Sequence, residues 1–309
     1  MTTELVAVPA DRLASVPTLF REVGDLKRVR VAHAVGSAAQ RAFVRAWSAL
    51  VAGADVGGVA ARECAAAVAG ARLGGLDAAS LVACGLSAAQ TETILRRAID
   101  DLAVDLHPVT ARWLDSALPA LVAAQPIGAG KPPSFVTALC DQPRAGATAP
   151  GRPRLVVEPA ENHAEHCWAV AVYAALLAED TGADPGDAFL LGLAHHLHNA
   201  RMPDAGFAGE QLLGAYLDEV VDRLTRDELA DLPEPLAART GAVLAHRAAA
   251  ETPLGQAFHA ADVLDRVLQV HHHARAAAFT VEQALVDLEL VHDGPVLGYH
   301  RDVLRAAGL

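Results

Sequence analysis

The chain has 309 residues, of which 52% are hydrophobic but only 4% aromatic, and its formal net charge is -12. The length supplies a sizeable core, and an apolar content rich in alanine favours closely packed helices. The acidic balance disfavours nucleic acids and anionic membranes as partners, because both would be repelled by the average field.

No segment predicts export or membrane insertion. The N-terminal MTTELVAVPADRLASV mixes charged and apolar residues, unlike a signal peptide. The apolar stretches are interrupted well before the roughly 18 residues that a membrane helix needs. The four cysteines are scattered without a CxxC pair, which is typical of reduced thiols. We therefore expect a cytoplasmic protein.

The first part of the chain has a helical pattern in which few residues mark the starts and ends of helices. Ser37 precedes apolar residues that recur every three to four positions, which predicts a helix that Gly53 ends. Ser87 and Gln90 have the spacing of a capping box at the start of another helix. We interpret residues 1–125 as an N-terminal helical domain with a supporting or interaction role.

The composition changes between residues 126 and 159, where seven prolines occur together with several glycines. Such a stretch interrupts regular structure, so we interpret 126–159 as a linker. Residues 160–309 then form the second predicted domain.

Two predicted helices carry histidines at their ends. Asn162 and Glu165 have capping-box spacing, and Asp184-Pro185 is typical of a helix start. The first helix begins among histidines and the second ends in AHHLHNA. An antiparallel pair would bring the two histidine groups together.

The rest of the chain also reads as helical. Helices are predicted over 218–230 and 236–250, Thr252-Pro253 starts another, and the tail from 280 to 309 is helical with a turn at 292–295. No convincing strand pattern occurs, so the predicted fold class is all-α.

The histidines and one distant carboxylate resemble the signature of the HD superfamily of metal-dependent phosphohydrolases. The pattern is His166, then His195-His196 twenty-nine residues later, then Asp262 in AADVLDRVLQ. The resemblance covers roughly 152–277, and the phrase ENHAEH is most similar to the entry helix of the five-prime deoxynucleotidase branch.

The resemblance implies a helical bundle of HD type with one divalent metal, held by His166, His195, His196 and Asp262. A metal centre of this kind needs three or four nitrogen or oxygen ligands, and helices of a bundle can each supply one. The implied activity is hydrolysis of a phosphomonoester, with a small anionic substrate for which a nucleotide is one candidate.

The chain departs from the family at two positions. His196 stands where the family has Asp; an imidazole there shifts the preference from Mg toward Fe, Zn, Co, Ni or Mn and cannot bridge two metals, so a single metal is favoured. Asn199 stands where relatives carry a Glu resembling a general acid or base. Since an amide cannot transfer the proton, the candidates for that role are Glu165, His198 and Asp204.

Several assignments stay open at this stage. Asp265 competes with Asp262 as the distant ligand, because both lie on one helical face. His196 is either a ligand or a neighbour of the ligands. Three side chains are predicted to contact the substrate, with an exposed position as the alternative: His246, Arg247 and His163.

Two other functions are compatible with the pattern. The altered positions suggest a catalytically silent HD-like domain that binds a nucleotide or a partner protein. A non-haem iron oxygenase of the same superfamily would need two irons and a bridging carboxylate that position 196 lacks. The oligomeric state is left open between a monomer and a homodimer.

Overall fold

The computed structural model describes residues 8–32, 34–123, 130–277, 280–287 and 289–309. In these ranges the regular structure is helical and no strand forms, so the all-α prediction is confirmed. The α-helices are α1 (Ala10–Ser15), α2 (Pro17–Asp25), α3 (Ala38–Val51), α4 (Val56–Arg72), α5 (Ala78–Ala83), α6 (Ala88–Leu102), α7 (Pro108–Ser116), α8 (Leu118–Val122), α9 (Ser134–Asp141), α10 (His163–Thr181), α11 (Pro185–Ala194), α12 (Gly206–Leu213), α13 (Leu217–Leu229), α14 (Glu234–Leu244), α15 (Pro253–Ala277) and α16 (Leu297–Ala306).

Shorter helical segments connect them. Three 3₁₀ turns span Ala103–Asp105, Leu197–Ala200 and Gly214–Tyr216, and a π-helical turn spans Gln283–Asp287. Among the described residues, no helix combines the length and the apolar character needed to cross a bilayer.

The predicted helix starts are confirmed by their caps. The Ser37 hydroxyl accepts a hydrogen bond from the Gln40 amide at 3.0 Å. Asn162 and Glu165 form the reciprocal capping box, with distances of 2.9 and 3.1 Å. These bonds satisfy backbone donors that would otherwise have no partner in the first turn.

Helix α10 is the centre of the molecule, because residues around its whole circumference are buried. An apolar helix without a polar face is stable only when other helices surround it. Helix α11 lies against it in the antiparallel direction, with Gly192 beside Ala171 and His195 beside His166. The turn between the two helices therefore places the end of α11 next to the start of α10.

The N-terminal helices pack directly against this centre. The ring of Phe20 from α2 stacks on Tyr173 of α10, with centroids 4.1 Å apart. Phe135, within the segment predicted as a linker, is buried on α9 and contacts the Trp47 ring edge to face at 4.9 Å. One continuous hydrophobic core thus includes residues from all three predicted segments.

The predicted domain organisation remains a prediction. Its boundary after residue 125 lies outside the described residues. The boundary after residue 159 falls just before α10, as expected for the start of the histidine-bearing helix.

One predicted helix end was wrong. The helix expected over 236–250 ends at Leu244, and a series of turns follows before α15 begins at Pro253. As a result His246 and Arg247 lie in a turn instead of on a helix surface.

Replacement of Gly192 by alanine tests the close approach of α10 and α11. A Cβ atom at this position would lie 2.3 Å from the Ala171 Cα atom and 2.5 Å from its backbone nitrogen. Because backbone atoms cannot move aside without shifting a helix, we expect Gly192→Ala to lower the free energy of unfolding by roughly 1–3 kcal/mol or more.

The matched control is Gly298→Ala on α16, where an added Cβ meets nothing within 4 Å. This exposed helical site should gain roughly 0.5–1 kcal/mol from the better helix propensity of alanine. Urea unfolding of both variants measures the effects. A Gly192 variant as stable as the Gly298 variant would contradict the packing described above.

Candidate metal centre

Two histidines from neighbouring helix ends meet a carboxylate from a third helix. His166 lies in the first turn of α10, and His195 directly follows the last residue of α11. Their Nε2 atoms are 3.2 Å apart, and the His166 Nε2 atom is 3.3 Å from the Asp262 Oδ1 atom on α15. The structure thus brings together three of the side chains that the sequence predicted as ligands.

Hydrogen bonds to the other ring nitrogens orient both imidazoles. The His166 Nδ1 donates to the Asp265 carboxylate at 2.8 Å, and the His195 Nδ1 donates to the Gly192 carbonyl at 2.7 Å. Since the protons are assigned to Nδ1 by these acceptors, both Nε2 atoms present lone pairs to one point. A carboxylate or carbonyl behind a metal-binding histidine is the usual arrangement in metal sites.

The converging lone pairs fit a cation. Two nitrogen lone pairs that face each other at 3.2 Å repel unless a positive charge lies between them, and the Asp262 carboxylate, 3.3 Å from the His166 Nε2 atom, attracts such a charge. The separation of the two nitrogens is also close to the spacing of about 3.3 Å expected for two ligands roughly 2.0–2.1 Å from one tetrahedral ion. The residues present therefore suit a divalent metal.

His196 lies near this point, but both of its ring nitrogens already form hydrogen bonds. His166, His195 and His196 offer nitrogen atoms that all lie within 4.8 Å of one another. The His196 Nδ1 donates to the side-chain oxygen Oδ1 of Asn199 at 2.8 Å, and its Nε2 accepts from the Arg144 guanidinium at 2.7 Å. His196 could serve as a fourth ligand only after Arg144 moves away from its Nε2.

The electrostatics keep the donors in the protonation states that bind cations. Burial, followed by the neighbouring His166, lowers the pKa of His195 well below its usual value. Burial and then His195 lower the pKa of His196 in the same way. Burial raises the pKa of Asp262, but Arg266 and His166 outweigh it and hold that pKa well below the usual range. His195 and His196 are therefore neutral and Asp262 is ionised at neutral pH.

Asp265 is held from the far side by a buried ammonium group. Lys27 follows α2 and is only 4% exposed. Its Nζ contacts the Asp265 carboxylate and, at 2.6 Å, the Glu161 carboxylate. Glu161, His166 and Asp265 form a second group with the spacing of metal ligands, but the Lys27 ammonium already lies between its two carboxylates.

A cavity of about 420 Å³ opens beside the histidines. Its inner wall includes His195, His196 and Asp262, and the guanidinium groups of Arg144 and Arg247 also line it. Arg247 donates to the His195 carbonyl at 3.2 Å and, among the described residues, forms no ion pair with a carboxylate. Its charge is thus free to face an anionic ligand.

Two of the three candidates for proton transfer line this cavity. His198 is buried in the 3₁₀ turn after His196, and its Nδ1 has no hydrogen-bond partner among the described residues. Asp204 accepts from the Ala145 amide at 2.8 Å and from the Gly206 amide at 2.9 Å. The third candidate, Glu165, is engaged in the cap of α10.

The three predicted substrate contacts lie in different surroundings in the structure. Arg247 lines the cavity, whereas the His246 ring bonds to the Thr252 hydroxyl at 3.1 Å. His163 is fully buried, with Nδ1 3.1 Å from the Gln142 carbonyl oxygen and Nε2 3.6 Å from Asp204. Of the three, Arg247 is therefore placed to meet a ligand directly.

Sequence reasoning missed three charged side chains at this centre. Arg266 pairs with Asp262 at 3.0 Å, and its position four residues after Asp262 on a helix was a usable signal. Arg144 lies in the proline-rich segment and Lys27 lies near the N-terminus. Their proximity to the histidines is not encoded in any local spacing.

Residues 137–289 match a protein-family model described as HD domain. Searches among curated proteins and among solved structures found no match. The match supports the resemblance to the HD superfamily, whose members bind divalent metals, and it contains all four predicted ligands. The resemblance to the deoxynucleotidase branch, and the interpretation of His195-His196 as an altered HD pair, stay predictions.

Removal of the Lys27 charge tests the support behind His166. Lys27→Met would leave the buried Asp265 carboxylate and the half-buried Glu161 carboxylate without the Lys27 charge, so we expect a loss of about 3–5 kcal/mol in the free energy of unfolding. Lys131→Met changes the other lysine of the chain, which is exposed, and should have little effect.

The pH dependence should differ between the two proteins. In the native protein Asp265 is buried, which raises its pKa, but Lys27 and His166 lower it below the usual value overall. Its contribution is therefore present above the unfolded pKa of about 4 and is lost as pH falls through the folded pKa. Without Lys27 the folded pKa should rise, so that the variant recovers stability on acidification. Thermal unfolding between pH 4 and pH 8 checks this, and parallel curves would contradict it.

Proposed function

We propose that this chain, whose residues 137–289 are similar to HD domains, is a metal-dependent phosphohydrolase that acts on a phosphomonoester. His166, His195 and Asp262 would hold one divalent metal, and His196 is the candidate fourth ligand. The observation that carries the proposal is the close approach of the His166 and His195 nitrogens, with the Asp262 carboxylate beside His166, next to a cavity lined by the guanidinium group of Arg247.

The donor set favours a transition metal. Imidazole nitrogens suit Fe, Zn, Co, Ni or Mn better than Mg, which prefers oxygen ligands. Such an ion would polarise a phosphoryl oxygen and lower the pKa of water at the site. A second metal is not part of the proposal, because the Lys27 ammonium already contacts both carboxylates of the neighbouring pair, Glu161 and Asp265.

Two arginines would position the phosphoryl group. A guanidinium group binds two phosphoryl oxygens at once, which fixes orientation as well as charge. Arg247 lines the cavity without a carboxylate partner among the described residues. Arg144 comes from the proline-rich segment and donates a hydrogen bond to the His196 Nε2. An incoming phosphoryl group could draw Arg144 off the His196 Nε2 and thereby free that nitrogen.

His198 is the better candidate for moving a proton to or from the substrate. Burial, followed by Arg247, lowers its pKa to about 4, so the ring is neutral at pH 7 and one nitrogen has no described partner. Asp204 is less suited, because both of its oxygens accept backbone hydrogen bonds. We therefore assign proton transfer to His198 and an anchoring role to Asp204.

A silent binding module is the second candidate function. Arg144 on His196 and the amide of Asn199 behind it would both persist in a protein that had lost metal binding. Such a module would keep the arginines for an anionic ligand but would have no use for the lone pairs of His166 and His195.

Metal analysis separates the two functions. Protein purified without chelators should contain one transition metal per chain, and His166→Gln or His195→Gln should remove it while His272→Gln, on the exposed part of α15, should not. Elemental analysis together with hydrolysis of a phosphomonoester panel measures both properties. Absence of metal and of turnover, with phosphate still bound, would favour the silent module.

The assignment of His198 is tested by replacement with glutamine. His198→Gln keeps a hydrogen-bonding side chain but cannot transfer a proton, so kcat should fall by about 10²- to 10⁴-fold. The affinity for inorganic phosphate and the metal content should be unchanged. A rise in KM with an unchanged kcat would instead assign His198 to substrate binding.

A further inference from the structure

Three nitrogen atoms on side chains that line the cavity are buried without a described partner, and the region beside them is named the outer part of the cavity. They are Nε2 of His259, Nε2 of His300 and Nε of Arg266, and all three side chains line the cavity. His259 and His300 are each only 6% exposed. Buried polar atoms normally have a hydrogen-bond partner, so three such atoms on side chains that line one cavity indicate a ligand.

These side chains come from two helices. His259 and Arg266 lie on α15, and His300 lies on α16, beyond the segment that matches the HD domain. The rings of His259 and His300 have centroids 5.5 Å apart. The C-terminal helix therefore completes this part of the cavity.

The outer part lies within reach of the metal centre. Ring-to-ring distances of 5.0, 5.1 and 5.5 Å lead from His195 through Phe258 and His259 to His300. Arg266 also touches the predicted ligand Asp262 at 3.0 Å. A single small molecule can therefore contact both parts, and the cavity volume of about 420 Å³ is suitable for one.

The charge balance excludes a second anionic group. The Arg266 charge is already paired with Asp262. Burial, followed by Arg266, lowers the pKa of His300 to about 3, and burial also lowers the pKa of His259. Both rings are neutral at pH 7, so an anion would find no free counter-charge here.

An apolar group would also be a poor ligand. It would leave three buried nitrogens unsatisfied, at a cost of about 1–3 kcal/mol for each. A neutral imidazole both donates and accepts, which matches a hydroxyl group. Flat surfaces lie nearby, since Phe207 stacks on His292 at 4.0 Å, and such faces pack well against the carbon atoms of a ring.

We propose that His259, Arg266 and His300 bind the neutral, hydroxyl-bearing part of the substrate, which makes that substrate a polyol or sugar phosphate with a single phosphoryl group. This inference rests on the proposed function, in which Arg144 and Arg247 bind the phosphoryl group. It extends that function from a reaction class to a substrate class.

Calorimetric binding to the full chain tests the proposal with four probes: glucose 6-phosphate, phenyl phosphate, fructose 1,6-bisphosphate and inorganic phosphate. We expect the sugar monophosphate to bind at least tenfold more tightly than phenyl phosphate or the bisphosphate. His300→Leu should lower the affinity for the sugar monophosphate about tenfold and leave the affinity for inorganic phosphate unchanged. His300→Gln should restore part of the loss, and His272→Leu on the exposed part of α15 should change nothing.

Stability provides a second readout that distinguishes binding from a structural role. Because His300→Leu removes a buried nitrogen without a described partner, its Tm should equal or exceed that of the native protein. Equal affinity for the sugar monophosphate and phenyl phosphate would overturn the proposal, as would a variant that binds all four probes more weakly. These binding ratios are measurable without turnover, so absence of hydrolysis would count against the proposed function and not against this inference.

Discussion

The candidate metal centre depends on one buried line of charges and hydrogen bonds, from Lys27 through Asp265 to His166. The Asp265 carboxylate fixes the proton on the His166 Nδ1, and this leaves the lone pair of Nε2 pointing toward His195 and Asp262. A carboxylate in this position costs several kcal/mol to desolvate, and it stays ionised because the Lys27 ammonium and the His166 ring lie against it. The orientation of the central histidine is thus maintained by a residue near the N-terminus.

This dependence gives the N-terminal helices a role in positioning the side chains of the candidate metal centre. Helix α2 supplies the ring that stacks on Tyr173, and the chain just after it supplies Lys27. The same ammonium occupies the space between Glu161 and Asp265, a pair that could otherwise attract a second cation. The Lys27 charge therefore both supports the candidate metal centre and favours a single metal.

Arg144 makes a contact that suits the imidazole at position 196. A carboxylate there would pair with Arg144, whereas an imidazole accepts one hydrogen bond from it and stays neutral. The guanidinium is then held near the histidines by a bond that a phosphoryl group can replace. Arg247 and Arg266 extend the positive field along the cavity, and Asp262 balances the second of them. The cavity is consequently cationic where the phosphoryl group is proposed to bind and neutral farther out.

Local sequence was sufficient for the helix starts and for part of the site. Capping residues such as Asn162 act on backbone groups within one turn, so their effect can be predicted from adjacent positions. The spacing of His166, His195 and Asp262 indicated convergence because each lies at a definite place on a helix. The extent of the helix after Glu234 could not be predicted, since the turn that ends it depends on where α15 must begin.

By itself the sequence determined an all-α protein with histidines at two helix ends and a distant carboxylate, because helical periodicity and capping are properties of neighbouring residues. Only the tertiary structure decided that Lys27 meets Asp265 across 238 positions, that Arg144 binds His196 across 52, and that His300 completes the cavity. Such contacts depend on how whole helices pack, and packing is set by the shape of the shared core. No local spacing carries that information.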